Sequence, residues 1–190
     1  MKRNIALILL CLAIVAGCQN PKKKVDKLEI AKQYYEALDN SDGLIMKELL
    51  ADTLFTVETD YDYEQYFTRE GYVESWLRWD SVFAPTYKVL DIEQDQELVK
   101  ATISKSDKRI LFLHNEPTVW DEILQFDGLA IARIARRNVT FNDTLWVQNV
   151  NALLAWIDAN HPELNGFIND QTRTGGMNYL KAIELYENRE

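Results

Sequence analysis

The sequence is poor in cysteine. Its two cysteines, Cys11 and Cys18, both lie within the first 18 residues. From residue 19 onward the chain can therefore form no disulfide within itself, no thiolate metal site and no cysteine nucleophile. This absence excludes several classes of enzyme.

Basic residues are also scarce, with 21 Lys and Arg against 30 Asp and Glu. Cleavage before Cys18 would remove Lys2 and Arg3 and no acidic residue, which would leave 19 basic and 30 acidic residues and a net charge of −11. A protein that binds nucleic acid without sequence preference needs a basic surface to displace counterions. We therefore predict no nucleic-acid partner.

The apolar run at the start of the chain is too short to cross a membrane. Ile5–Val15 falls well below the roughly 20 residues of a transmembrane helix, and it follows Lys2 and Arg3, as in a signal peptide. The segment that ends this run, "VAGC", resembles the bacterial lipobox, in which the cysteine is lipidated and becomes the new N-terminus. The resemblance implies a signal peptide at residues 1–17 and a lipidated Cys18.

Lipidation of Cys18 would anchor the protein in a lipid bilayer. Each buried methylene contributes about 0.8 kcal/mol, and two or more acyl chains give stable anchoring. Residues 18–26 then form a polar tether. Gln19, in place of aspartate, favours the outer membrane of a Gram-negative envelope, and we expect the protein to face the periplasm.

The remaining chain alternates between helical and strand patterns. Helical spacing runs from Leu28 to Leu38, and Asn40-Ser41-Asp42 then breaks this helix and caps a second one at "GLIMKELL". The strand pattern "TLFTVETDY" follows, and a third helix is predicted at "TREGYVESWLRWDSVF". After Pro85 we predict the strands "TYKVLDIEQ", "ELVKATISK", "RILFLHN", "TVWDEILQF" and "LAIARIARRNVTF", the last two joined by an Asp127-Gly128 hairpin turn. Two helices, "DTLWVQNVNALLAWIDAN" and "GGMNYLKAIELYEN", complete the pattern. This order predicts an α+β fold in which helices pack on one face of a curved antiparallel meander.

Four segments in this order resemble the SnoaL-like branch of the nuclear transport factor two superfamily. They are "AKQYYEALDNSDGLIMKELLADTLFTV", "TREGYVESWL", "YKVLDIEQDQELVKATI" and "LQFDGLAIARI", and they span roughly residues 27 to 135. The resemblance implies a cone-like curved antiparallel sheet with helices on its concave face and a pocket at the open end. We assign this cone domain to residues 27–141 and a C-terminal helical extension, packed on the same domain, to residues 142–190.

The resemblance does not select one function. Members of the superfamily include isomerases, dehydratases, epoxide hydrolases, polyketide cyclases and non-catalytic binding domains, so the fold alone assigns no reaction. Members often pair through the outer face of the sheet, which suggests a homodimer.

One catalytic arrangement can be drawn from the residues. On "RILFLH", His114 shares a strand face with Ile110 and Phe112, and it could form a general acid–base pair with Asp121 or Glu122 of the next strand. Only one of these carboxylates can face inward, because adjacent strand residues point to opposite sides, and the pattern leaves open which one. The alternative is a hydrogen-bonded structural histidine.

No metal site or cofactor is predicted. Asp60, Asp62 and Glu64 alternate as in the start of a calcium loop, but the glycine and glutamate that an EF-hand loop requires are replaced by Gln65 and Gly71. We interpret these acids as the solvated face of a strand end.

The aromatic residues supply three candidates for a pocket lining. Most of the five tryptophans and nine tyrosines are expected in the core, since aromatic side chains dominate protein interiors. Tyr35, Trp79 and Trp120 are the ones that we predict to line the cone.

Two hypotheses of function follow. The leading hypothesis is a membrane-anchored lipoprotein whose cone domain binds a small apolar ligand or an envelope protein without catalysis. The alternative is a small hydrolase or dehydratase that uses His114 with Asp121 or Glu122.

Overall fold

The computed structural model describes residues 26–189. The predicted signal peptide, the predicted lipidation site Cys18 and nearly all of the predicted tether lie outside these residues. Within the described part, no helix is both long enough and apolar enough to cross a membrane.

The first half of the fold contains three helices and a hairpin. Helix α1 (Lys27–Asp39) and helix α2 (Gly43–Leu49) are each preceded by an aspartate whose side chain accepts hydrogen bonds from the first turn, Asp26 for α1 and Asp42 for α2. Strands β1 (Leu50–Glu58) and β2 (Tyr63–Thr68) then form an antiparallel hairpin.

Helix α3 is continuous but has an irregular centre. It consists of Arg69–Gly71, the π-helical segment Tyr72–Leu77 and Arg78–Ser81, and the Thr68 side chain caps its start. Local π-helical geometry is rare and occurs frequently at functional sites.

The second half contains the larger part of the sheet and three further helices. In chain order these are β3 (Thr86–Asp95), β4 (Leu98–Ser106), α4 (Lys108–His114), β5 (Thr118–Asp127), β6 (Ala130–Thr140), α5 (Asp143–Asn160) and α6 (Arg173–Glu187). Two short 3₁₀ turns, Pro162–Leu164 and Phe167–Asn169, connect α5 to α6.

The six strands form one mixed sheet in the order β2-β1-β6-β5-β4-β3. All neighbouring strands are antiparallel except β1 and β6, which pair in parallel. The registers shift within the β1–β6, β3–β4 and β5–β6 pairs, and irregularities of this kind bend and twist a strand. They give the sheet a concave face that holds the helices.

Two segments differ from the sequence prediction. The segment "RILFLH" is helix α4 and not a strand, because Asp107 caps it by accepting a hydrogen bond from the backbone N–H of Ile110. Residues 59–62 form a turn and not a strand end. Asp62 has φ 50° in this turn, and Glu64 belongs to β2.

The apolar side chains form two adjoining clusters. One lies between α1–α3 and the concave face of the sheet, with Tyr34, Leu38, Leu54, Leu124 and Ile134 at its centre. The other joins the end of α3 and α4 to the C-terminal helices, and includes Phe83, Leu113, Leu153, Ile157 and Ile183. The C-terminal helices therefore share a core with the end of α3.

Candidate functional site

A cavity of about 360 Å³ opens between the sheet and helices α3–α5. Its wall draws on all six strands and on α3, α4 and the start of α5. Its aromatic part comprises Tyr61, Tyr63, Trp76, Trp79, Tyr87, Trp120, Phe141 and Trp146. Pockets for small organic ligands commonly have volumes of roughly 300–1,000 Å³ and a mainly aromatic or apolar lining. This cavity has the size and an aromatic wall that suit such a ligand, and the rest of its lining is polar or charged.

Arg136 forms the first of three basic positions in the wall. Its guanidinium contacts Oε1 of Glu122 at 2.8 Å and lies over the ring of Trp120, 4.5 Å from the centroid. The buried Glu122 also accepts hydrogen bonds from Nε1 of Trp120 and from the hydroxyl of Tyr35, each at 2.8 Å. The Glu122 carboxylate is thus neutralised and held by three neighbours.

The same network keeps Tyr35 protonated. Burial, followed by the negative charge of Glu122, raises the pKa of the Tyr35 hydroxyl well above its usual value. Tyr35 therefore acts as a hydrogen-bond donor to Glu122 throughout the physiological pH range.

Lys105 forms the second basic position. It follows Val99, Ala101 and Ile103 on the inward face of β4, and its Nζ donates a hydrogen bond to the fully buried Asp80. Asp80 also accepts a hydrogen bond of 2.8 Å from the hydroxyl of Tyr87.

Arg109, on α4, forms the third basic position. Its guanidinium carbon lies 4.7 Å from the ring centroid of Trp79 and 5.5 Å from those of Phe83 and Trp146. The carboxylate of Asp107 is 3.8 Å from Arg109 Nη2 and 3.3 Å from Lys105 Nζ. Cation–π contacts with three rings hold the Arg109 guanidinium in place.

Three buried polar atoms in this wall have no hydrogen-bond partner among the described residues. They are Nε1 of Trp79, Nε of Arg109 and Oγ1 of Thr118, and all three residues line the cavity. Oδ2 of Asp107, next to Arg109, is likewise buried and without a hydrogen-bond partner. Buried polar groups in folded proteins are nearly always hydrogen-bonded, so these atoms are exceptions.

The more exposed part of the cavity lining carries acidic residues. We call Glu58, Asp60 and Asp143 the acidic rim. Asp60 accepts a hydrogen bond from the backbone N–H of Asn138, and Asp143 accepts one from the hydroxyl of Tyr61. These donors are uncharged, so they leave the negative charge of the two carboxylates in place.

His114 lies outside the cavity lining. Its Nδ1 is 3.1 Å from the carbonyl oxygen of Glu116, and its Nε2 accepts a hydrogen bond of 2.7 Å from the backbone N–H of Asn142. The ring also stacks on Phe141. His114 joins the start of α5 to the end of α4, and both of its ring nitrogens are engaged with backbone atoms.

The two candidate carboxylates point in opposite directions. Trp120, Glu122 and Leu124 form the inward set, so Glu122 lies beneath the cavity wall. Asp121 is on the outer face, where it accepts hydrogen bonds from Thr102 and Arg137. The hydrogen bond from Arg137, followed by that from Thr102, lowers the pKa of Asp121. The structure does not join His114 to either carboxylate by a hydrogen bond.

Of the three predicted pocket residues, Trp79 and Trp120 are in the cavity wall. Tyr35 lies behind this wall, where it donates its hydrogen bond to Glu122.

The sequence prediction missed the basic positions. Lys105 and Arg136 occupy inward-facing positions in the alternating patterns of β4 and β6. This alternation could have identified them in the sequence, since a basic residue among inward-facing apolar residues needs a buried partner. Arg109 could not be found in this way because its segment was predicted as a strand. Within residues 26–189, no group of three His, Cys, Asp or Glu side chains is placed to hold a metal ion.

Comparisons with known proteins show similarity in structure only. No protein-family model matches the chain, and no curated protein is significantly similar in sequence. A proposed ketosteroid isomerase from Kribbella flavida superposes with a TM-score of 0.50 and 13% identity, over 62% of this chain and 80% of that one.

Two further structures are similar at slightly lower scores. An NTF2-like protein of unknown function from Burkholderia xenovorans has a TM-score of 0.49 and 15% identity, over 61% of this chain and 86% of that one. A proposed polyketide cyclase from Sinorhizobium meliloti has a TM-score of 0.47 and 13% identity, over 57% of this chain and 93% of that one.

The topology and the Kribbella flavida structure together confirm the predicted fold, with the parallel β1–β6 pair as the one departure from an all-antiparallel sheet. The chain has the NTF2-like cone fold, with a curved, unclosed six-stranded sheet around helices and further helices at its C-terminal end.

Proposed function

We propose that this protein is a lipid-anchored envelope protein whose cone domain binds a small, largely apolar ligand without catalysis. The observation that carries the proposal is the open cavity with an aromatic wall. A cone filled by its own side chains would have left only an outer surface for binding a partner.

The state of the charged groups in the wall supports binding over catalysis. Lys105 and Arg136 are each paired with a buried carboxylate, and His114 is engaged with backbone atoms away from the cavity. A general acid or base must reach the proton that it transfers, and it needs a pKa close to the working pH. The paired groups do not meet the first requirement, because each is already engaged with a partner inside the wall.

The ligand-binding part of the proposal can be tested with a fluorescent hydrocarbon amine, N-phenyl-1-naphthylamine, which brightens in apolar sites. The protein would be the chain from residue 18 with Cys18→Ala, a form that carries no lipid and keeps every residue that the structure describes. We expect saturable binding at one site per chain.

A matched pair of variants locates that site. Asn138→Trp places a large ring in the cavity lining and should reduce affinity by about tenfold or more. Lys88→Trp adds the same ring to an exposed position on β3, outside the lining, and should leave affinity unchanged. Equal binding by the two variants would refute the cavity as the site.

The anchor is tested separately by metabolic labelling with a palmitate analogue. The motif that ends at Cys18 predicts label in the wild-type chain and none in a Cys18→Ala variant. Cell fractionation should place the labelled protein in the outer membrane, facing the periplasm, as Gln19 favours. Unchanged labelling of the variant would refute the anchor and leave the ligand-binding proposal untouched.

A further inference from the structure

The acidic rim keeps its negative charge because its hydrogen-bond donors are uncharged. The side chain of Glu58, at the end of β1, forms no hydrogen bond or ion pair within residues 26–189. Asp60 accepts its hydrogen bond from the backbone N–H of Asn138. Asp143 accepts its hydrogen bond from the hydroxyl of Tyr61. All three carboxylates line the cavity, so a ligand in it meets three negative charges.

The three carboxylates of the rim lie around one side chain, Tyr61. Its hydroxyl donates to Asp143 and accepts a hydrogen bond of 3.3 Å from Nδ2 of Asn138, the residue whose backbone N–H is bonded to Asp60. Burial, the hydrogen bond to Asp143 and the negative charges of all three rim carboxylates raise the pKa of the Tyr61 hydroxyl above its usual value. Acids that all act on one hydroxyl are close enough to act together on one group of a ligand.

The basic residues near the rim are paired with other carboxylates. Arg136 and Arg137 lie within electrostatic range of the rim. Each contacts a different acid at 2.8 Å, Arg136 with Glu122 and Arg137 with Asp121. The two remaining basic residues of the lining together face two buried carboxylates. These groups balance one another, so the rim remains as an excess of negative charge.

Two exposed aromatic rings belong to the same part of the lining. Tyr61 is 47% exposed and Tyr63 is 48% exposed, and both line the cavity. The faces of aromatic rings attract cations. Each tryptophan ring of the lining already has one of the protein's own basic side chains over it. In the part of the chain that the structure describes, no basic side chain lies over Tyr61 or Tyr63, so these two rings are free to contact a cation of the ligand.

We infer that the ligand of this cavity is an amphipathic cation, with an apolar body against the tryptophan rings and an ammonium or similar basic group at the acidic rim. This inference rests on the proposed ligand-binding function and adds a ligand class to it. A cation at the rim keeps part of its hydration, whereas a cation in the interior would lose it at a high cost. A cleft lined by one sign of charge also concentrates ligands of the opposite charge and repels those of the same charge.

Three naphthalenes with head groups of similar size separate the ligand classes. At neutral pH 2-(aminomethyl)naphthalene is a cation, 2-(hydroxymethyl)naphthalene is uncharged and 2-naphthoate is an anion. Binding would be measured by equilibrium dialysis at physiological ionic strength, with the lipid-free chain from residue 18. We expect the amine to bind about fivefold more tightly than the alcohol, and the carboxylate to bind most weakly. Added salt should reduce the preference for the amine, since Asp60 and Asp143 are exposed.

A matched pair of variants connects this preference to the rim. Glu58→Gln removes one rim charge and breaks no hydrogen bond of the described residues, so it should reduce affinity for the amine about threefold and leave affinity for the alcohol unchanged. Asp52→Asn is the control, because it changes the net charge equally at the other end of β1, outside the lining. The two positions are six residues apart, roughly 20 Å along a strand, which exceeds the Debye length of about 8 Å. Asp60→Asn, which retains an oxygen for the Asn138 N–H, is a second test of the rim.

The outcomes distinguish the ligand class from the proposed function. Equal affinity for amine and alcohol, or tightest binding by the carboxylate, would overturn the cationic class while the ligand-binding function stands. An amine preference that Glu58→Gln and Asp52→Asn reduce equally would show attraction to the acidic protein as a whole and would overturn the rim as the site. If N-phenyl-1-naphthylamine binds and the amine does not, the inference fails alone. If neither these three compounds nor N-phenyl-1-naphthylamine binds, the proposed function fails with it. An amine preference that Glu58→Gln reduces and Asp52→Asn retains would support the inference.

Discussion

At the residue scale, the buried carboxylates do most to hold the cavity wall in its arrangement. Glu122 accepts hydrogen bonds from Tyr35, Trp120 and Arg136, which come from a helix and from two strands. A single side chain thereby ties α1 to β5 and β6.

Removing this carboxylate should be costly. We expect Glu122→Ala to lower the free energy of unfolding by about 3 kcal/mol, because it leaves a partly buried Arg136 charge and two buried donors unpaired. Urea unfolding at neutral pH measures the change. The control is its neighbour, where Asp121→Ala removes a partly exposed pair with Arg137 and should cost less than about 1 kcal/mol. Equal losses would contradict the role assigned to Glu122.

A buried tyrosine makes the fold sensitive to alkali. Burial raises the pKa of Tyr179 to about 12, from 10.0. In the unfolded chain the hydroxyl loses its proton near pH 10, so the unfolded state gains stability relative to the folded state as the pH rises from 10 towards 12.

Tyr179→Phe should remove the contribution of Tyr179 to this sensitivity. One pKa unit corresponds to about 1.4 kcal/mol. The free energy of unfolding of the variant should therefore rise by roughly 1 kcal/mol relative to that of the wild type between pH 8 and pH 11. Urea unfolding at the two pH values gives the difference, and the value at pH 8 serves as the internal reference. If the two proteins differ in free energy of unfolding by the same amount at pH 8 and at pH 11, Tyr179 does not contribute to the sensitivity to alkali.

The residue scale also shows what the sequence could reveal about the site. The alternation of side chains along a strand placed Trp120 on the same face of β5 as Glu122. The same rule could have identified Lys105, which follows Ile103 on the inward face of β4. The alternation could not show which face of β5 points into the cone, since the residues of both faces are partly apolar. That choice depends on tertiary partners such as Tyr35, which is distant in sequence.

At the element scale, the helices and most strands follow from local pattern, and the exceptions have identifiable causes. Helix α4 has a β-rich sequence, "RILFLH", but a single hydrogen bond to the Asp107 side chain starts a helix there. Strand β2 was missed because the acidic turn before it reads as a continuation of β1. The parallel pairing of β1 with β6 is a long-range contact that no local pattern encodes.

Helix α6 begins so close to the preceding loop that it requires glycine. A Cβ atom added at Gly175 would lie 2.0 Å from the backbone oxygen of Asp170. Alanine normally stabilises a helix interior by up to about 1 kcal/mol relative to glycine. Here we expect Gly175→Ala to destabilise the protein by about 1–3 kcal/mol through overpacking.

Thermal unfolding would measure this effect. The neighbouring Thr174→Ala substitution, at an exposed position of the same helix, is the control and should change the midpoint little. A stabilising effect of Gly175→Ala would mean that the loop at Asp170 can move away at little cost.

At the scale of the whole molecule, the C-terminal helices complete the second apolar cluster. Trp79, Phe83 and Leu113 belong to the cone by sequence position but pack with α5 and α6. The resemblance to known cone domains ended near residue 135, so the sequence offered no template for this packing.

A chain that ends at residue 141 should therefore not fold cooperatively. It would expose the fully buried Phe83 and Leu113 and would lose Trp146 from the cavity wall. We expect a broad thermal transition, weak near-ultraviolet circular dichroism and aggregation. Removal of residues 188–190 alone is the control and should leave the transition sharp. A sharp transition in the longer deletion would show that the cone is stable without its extension.

The parallel contact between β1 and β6 has a consequence for how the chain reaches this structure. Strand β1 can pair early with its neighbour β2, but its other edge stays unpaired until β6 has been made and brought back across the sheet. Closure of such long segments carries an entropic cost and slows folding. Synthesis from the N-terminus would thus leave one edge of β1 open until almost the entire cone had emerged, and folding of the cone should be limited by that final pairing.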